Sequence, residues 1–99
     1  MAHDIIYAET LDETLEDLEQ EDAQRIIKKI GDIADFPDHF LDSLKEHPGY
    51  KLRVGGFRVL SDWDKDNETL YAIDVCERKR EYRKLGKYRE VWGSWRDTE

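Results

Sequence analysis

At Tyr50 the apolar residues of this chain stop recurring every three or four positions and begin to recur every second one. That change constrains the fold more than any other feature, because helical side chains repeat at 3.6 residues and strand side chains at 2.0. The chain before it reads as mostly helical and the chain after it as mostly sheet.

On the helical side, Asp4-Ile5-Ile6-Tyr7-Ala8 is a short β-prone run. Thr10 and Glu13 have the spacing of a capping box, so a helix is expected to begin at Thr10. Leu11, Leu15 and Leu18 make one apolar stripe with acids on the other faces. The stripe pauses at Gln20-Glu21-Asp22, an expected interhelix turn, and resumes in Ala23, Ile26, Ile27, Ile30, Ile33 and Ala34. Pro37 is expected to end this second helix, since its ring clashes with the preceding turn. Residues 38–49 are ambiguous: Phe40, Leu41 and Leu44 suggest a helical turn before His47-Pro48-Gly49.

On the strand side, Leu52 and Val54 alternate with Lys51 and Arg53, and Gly55-Gly56 supplies a tight turn. Phe57, Val59, Ser61 and Trp63 alternate with Arg58, Leu60 and Asp62. A polar turn at Asp64-Lys65-Asp66-Asn67 leads to a third run from Leu70 to Cys76. These three runs predict an antiparallel meander, with the strand at 4–8 joining at an edge or beside the last. A short helix is expected around 80–85, ended by Gly86. The fold class is α+β: a helical hairpin packed on one face of a small antiparallel sheet, in the order β-α-α-β-β-β, with the other sheet face left for function. Residues 1–87 form the expected domain, and 88–99 a C-terminal aromatic tail carrying Trp92 and Trp95.

A length of 99 residues suits one core. The net charge of −8 argues against polyanion binding until its distribution is considered. Residues 1–47 carry a net −10 and residues 48–99 a net +2, so the basic groups belong to the strand half. An acidic protein can still present a local positive cleft. An acidic surface also fits a high-salt cytoplasm. The single cysteine, Cys76, excludes an internal disulfide, and His3, His39 and His47 lack the spacing of a structural zinc site with it. With no apolar run near ~18 residues and no apolar leader, the expected location is the cytoplasm, without membrane contact.

Lys51 and Arg53 share a strand face, and Arg58 returns beside them after the glycine turn. Arg78 follows the third strand, and Tyr82 lies four residues on. Paired as a meander, these strands can bring Lys51, Arg53, Arg58 and Arg78 to one face or rim. A merely solvated sheet face is the competing explanation.

The stretch His47-Pro48-Gly49-Tyr50-Lys51-Leu52-Arg53-Val54-Gly55-Gly56-Phe57-Arg58-Val59-Leu60 resembles the signature of the RelE/ParE superfamily of toxins, and Glu77-Arg78-Lys79-Arg80-Glu81-Tyr82 resembles its closing motif. The resemblance runs over residues 3–85 in element order. It implies a toxin of a type II toxin–antitoxin system, held in check by a cognate antitoxin. The RelE-type activity is cleavage of ribosome-bound mRNA, without a metal or other cofactor, which inhibits translation. In that reaction the 2′-hydroxyl attacks the adjacent phosphorus in line, leaving a 2′,3′-cyclic phosphate. By the same resemblance Lys51 accepts the proton, Arg58 braces the phosphate, Arg78 stands near the leaving oxygen and Tyr82 stacks on or orients the substrate. Lys45, Arg53, Lys79 and Arg80 would hold the RNA backbone. The antitoxin would shield this site and bring operator DNA to the complex.

This chain departs from the pattern in having Glu77 immediately before Arg78, where a base is common, and in its overall acidity. Asp12 to Asp22 holds seven carboxylates and no basic residue, either a solvated helix face or a dock for a basic partner segment. Apolar grooves for the antitoxin would be lined by residues such as Leu11, Leu15 or Trp63. Two other readings compete: a ParE-like inhibitor of a protein target, and a family member that acts only through antitoxin binding and transcriptional autoregulation.

Overall fold

A computed structural model describes residues 3–44 and 49–80 of the chain, with Arg80 described in its backbone only. Lys45, Tyr82, the remainder of the helix expected at 80–85 and the aromatic tail lie outside the described residues. In chain order the elements are β1 (Asp4–Tyr7), α1 (Glu9–Asp17), α2 (Gln20–Ile33), α3 (Pro37–Phe40), β2 (Leu41–Ser43), β3 (Tyr50–Val54), β4 (Phe57–Asp64) and β5 (Thr69–Glu77), followed by a 3₁₀ turn at Arg78–Arg80. The strands form one five-stranded sheet in the order β1-β5-β4-β3-β2. β1 runs parallel to β5 and every other pair is antiparallel, so the sheet is mixed rather than wholly antiparallel.

The core lies between the helices and one sheet face. Leu11 of α1 and Ile26, Ile30 and Ile33 of α2 are buried against Leu52, Val54, Val59, Leu70, Ala72 and Val75. The buried isoleucines recur at i, i+4 and i+7, one face of a helix. Ile27 falls off that face and is 38% exposed.

Three local expectations are corrected. α1 begins at Glu9, one residue before Thr10, with no side-chain cap. The Thr10 hydroxyl instead donates to the carbonyl of Ile73 at 2.6 Å. Ladder partners pass from Leu60↔Asp74 to Ser61↔Ala72, which makes Ile73 the extra residue of a bulge. A bulge disrupts the strand ladder locally, and the Thr10 hydroxyl satisfies the Ile73 carbonyl beside it. The interhelix turn sits at Leu18 and Glu19, before the expected Gln20-Glu21-Asp22. Finally α2 ends at Ile33, and Pro37 starts the next helix, where its missing N–H costs nothing. The ambiguous segment yields α3 and then β2, whose Leu41, Asp42 and Ser43 pair with Leu52, Lys51 and Tyr50.

The sheet face turned away from the core cluster was expected to be open. Over β4 and β5 it is not: Leu60 and Asp74 are fully buried, and Tyr71 and Cys76 nearly so. Accessible positions on this face lie toward β2 and β3, where Asp42 and Arg53 are exposed and Lys51 is half-buried. No helix among the described residues is long and apolar enough to cross a membrane.

Candidate nucleic-acid interface

Alternation along β3 and β4 fixes which side chains share the far face. Arg53 pairs directly with Arg58, and Arg58 with Cys76, forming one row across three strands. The next row runs Asp42, Lys51, Leu60 and Asp74. Two rows on one face lie about 7 Å apart along the strands, and directly opposed residues stand about 5 Å apart. Lys51, Arg53 and Arg58 are therefore brought together, as the sequence predicts. Arg78 adjoins the group through its backbone: its N–H donates to the Gly56 carbonyl at 3.0 Å, which ties the 3₁₀ turn to the β3–β4 hairpin.

Like charges directly opposite each other disfavour strand pairing, so the Arg53–Arg58 register needs compensation. Arg53, which is 66% exposed along its side chain, lies 3.5 Å from the Asp42 carboxylate on β2. Arg58 is only 8% exposed, and its guanidinium folds back on the turn. There Nη1 donates to the carbonyls of Gly55 at 3.0 Å and Phe57 at 2.8 Å. Gly55 turns with φ +58°, a conformation that glycine adopts without strain. The turn thus fixes the Arg58 charge in place, with no carboxylate taking it up among the described residues. Glu77 forms no ion pair with Arg78; its ladder partner is Phe57.

Two clefts flank the hairpin. One, of about 380 Å³, is lined by Gly56, Phe57, Glu77, Arg78 and Lys79. It places an aromatic ring beside two exposed bases. The other, of about 330 Å³, is lined by Arg25, Lys28, Lys29, Asp32, Arg53, Val54 and Gly55. The three α2 bases escaped the sequence reading, which counted charge by halves of the chain; their spacing of three and four residues was the available signal. Among the described residues no group of three or more His, Cys, Asp or Glu side chains is placed to hold a metal ion.

No protein-family model and no curated protein sequence matches this chain. Solved structures do match it. The Mycobacterium tuberculosis RelBE2 toxin–antitoxin complex contains a chain superposing with a TM-score of 0.72 at 18% identity, over 79% of this chain and 100% of that one. A mutant of the Escherichia coli toxin RelE in the free state matches at 0.67 and 21% identity, over 88% and 97%. The RelB–RelE antitoxin–toxin complex of Methanococcus jannaschii matches at 0.60 and 23%, over 78% and 94%. The chain has the α+β fold of the RelE toxins.

Proposed function

We propose that this chain is the toxin of a toxin–antitoxin module and cleaves RNA at the far face of its sheet, on translated mRNA, until a cognate antitoxin neutralises it. The observation that carries this reading is the Arg53–Arg58 register pair, with Lys51 one row away and Arg78 hydrogen-bonded through its backbone to the same hairpin. The opposed arginines are held by an exposed Asp42 pair and by two turn carbonyls, and a phosphodiester is a stronger counter-charge for Arg53 than that exposed pair. Attack by a 2′-hydroxyl places extra negative charge on the phosphorus oxygens. Cations already fixed in place stabilise that charge without reorganising. Arg58, held by two carbonyls, is the fixed one. In this scheme the neutral amine of Lys51 takes the 2′-hydroxyl proton as the O2′–P bond forms, and the P–O5′ bond breaks with the 5′-oxygen leaving beside Arg78 and taking a proton from solvent. Tyr82 would orient the base, and Lys45, Arg53, Lys79 and Arg80 would hold the flanking backbone. The RelE fold, found in chains crystallised with RelB antitoxins, supports the partner.

Induced expression followed by end-mapping of a translated transcript tests the proposal. The unmodified chain is expected to arrest growth and cut the message. Arg78→Ala should lower cleavage about 10²-fold or more, as loss of one charge-stabilising donor does, and Arg58→Ala with Arg78→Ala should abolish it. Intact transcripts with arrested replication would instead identify an inhibitor of a protein target. Normal growth with intact message would leave only antitoxin binding and autoregulation.

A further inference from the structure

The hairpin that carries Arg53 and Arg58 faces a second set of cations on its other flank. Arg25, Lys28 and Lys29 are all the lysine and arginine in residues 1–44, a stretch with 13 Asp and Glu. Bases serving only solubility would be spread among those acids. All three instead line one cleft, together with Arg53 from the hairpin. Like charges at i, i+3 and i+4 work against a helix, and the Arg25–Asp22 pair one turn back offsets part of that cost.

Arg25 reaches across to the turn. A Cβ on Gly55 would stand 3.5 Å from its Nη2, so only bare backbone lies under the guanidinium. The acids nearby are weakly held. Arg25, exposed, contacts the half-buried Asp22 at 3.1 Å, and Arg53 contacts Asp42 at 3.5 Å with both side chains exposed. Surface pairs of this kind are worth little and give way to a better anion. Asp32 is the acid within the lining, against four cations. Lys29 also lies over the Phe40 ring, 4.5 Å from its centroid, which limits where its ammonium stands.

We propose that this cleft is a phosphate subsite for a single RNA strand that crosses the Gly55-Gly56 turn on its way to the Arg53–Arg58 pair. Arg53 lines the cleft and also opposes Arg58 in register, so one side chain belongs to both places. That continuity favours a repeating polyanion over an acidic protein segment, which would need only the cleft. The proposal rests on the RNA reading above and adds a second, non-reacting contact to it.

The test is fluorescence polarisation with labelled 2′-O-methyl RNA, which binds but lacks the attacking hydroxyl. A trinucleotide fills only the hairpin centre; a dodecanucleotide also spans the α2 cleft. Each phosphate neutralised on a single strand contributes about −0.7 to the slope of log K against log salt. Lys28→Gln with Lys29→Gln should therefore flatten the dodecamer slope by about 1.4 and leave trinucleotide binding unchanged. Lys28→Gln alone preserves the Lys29–Phe40 contact and should flatten it by about 0.7, so the test survives if the double variant misfolds. An unaltered dodecamer slope, with binding still weakened by Arg78→Ala, overturns the subsite and spares the RNA reading. No binding of either strand by the unmodified chain overturns both. Capture of a labelled polyglutamate peptide through Lys28 and Lys29, without dodecamer binding, overturns the subsite in favour of an acidic protein partner.

Discussion

Removing the Arg58 side chain takes two hydrogen bonds from the hairpin turn as well as a cation from the far face, whereas removing Arg78 takes only an exposed cation. Arg58→Ala should therefore cost about 1–3 kcal/mol of stability. Arg78→Ala should stay within about 0.5 kcal/mol. Urea unfolding of the two variants separates a chemical defect from a structural one, and makes Arg78 the cleaner probe of activity. Thr10→Val strands the Ile73 carbonyl and should cost about 1–3 kcal/mol, while Thr10→Ser should recover most of it. Partial burial pushes the Tyr7 phenol above its ordinary value although the residue keeps 38% of its surface exposed, so the folded chain holds that proton to higher pH than the unfolded chain. The stabilisation is complete below about pH 10 and fades as pH climbs through the folded value. Tyr7→Phe should lose less stability in that alkaline range than the parent, a difference that thermal melts at stepped pH would read.

Elements with a long, regular apolar period were legible, and those fixed by a partner were not. Alternation identified β3 and β4, and a continuous run from Leu70 to Cys76 identified β5, which is buried on both faces. β2 has three residues and exists through its pairing with β3, which no local pattern announces. Thr10 carried a valid capping signature, yet a bulge carbonyl on β5, 63 residues away, took its hydroxyl. The α2 stripe was read one residue too broad. Ile26→Ala should cost about 2–5 kcal/mol because the side chain is fully buried. Ile27→Ala, at a half-exposed position, should cost well under that, as paired denaturation curves would show. At the site, strand alternation was enough to join Lys51, Arg53 and Arg58. The α2 bases lie far from them in sequence, and only the packing of helix on hairpin brings Arg25 to Gly55.

Among the described residues the molecule is a mostly acidic body with most of its cations around one hairpin, and salt should act on the two parts in opposite directions. Residues 1–44 carry a net −10, so raising ionic strength screens self-repulsion and should raise the thermal midpoint. The same salt should weaken the proposed RNA binding, which counterion release would drive. A salt series that raised both, or lowered both, would contradict this division of charge. The parallel seam between β1 and β5 bears on the order in which the molecule is built. Asp4 opposes Thr69, so β1 must wait for β5 before it has a strand neighbour. Until synthesis passes that point, α1 and α2 have no completed layer to cover, and a prematurely terminated product lacks the floor on which its own beginning should rest. Closing so long a loop is slow compared with helix formation. The fold is thereby left incomplete until β5 has been made.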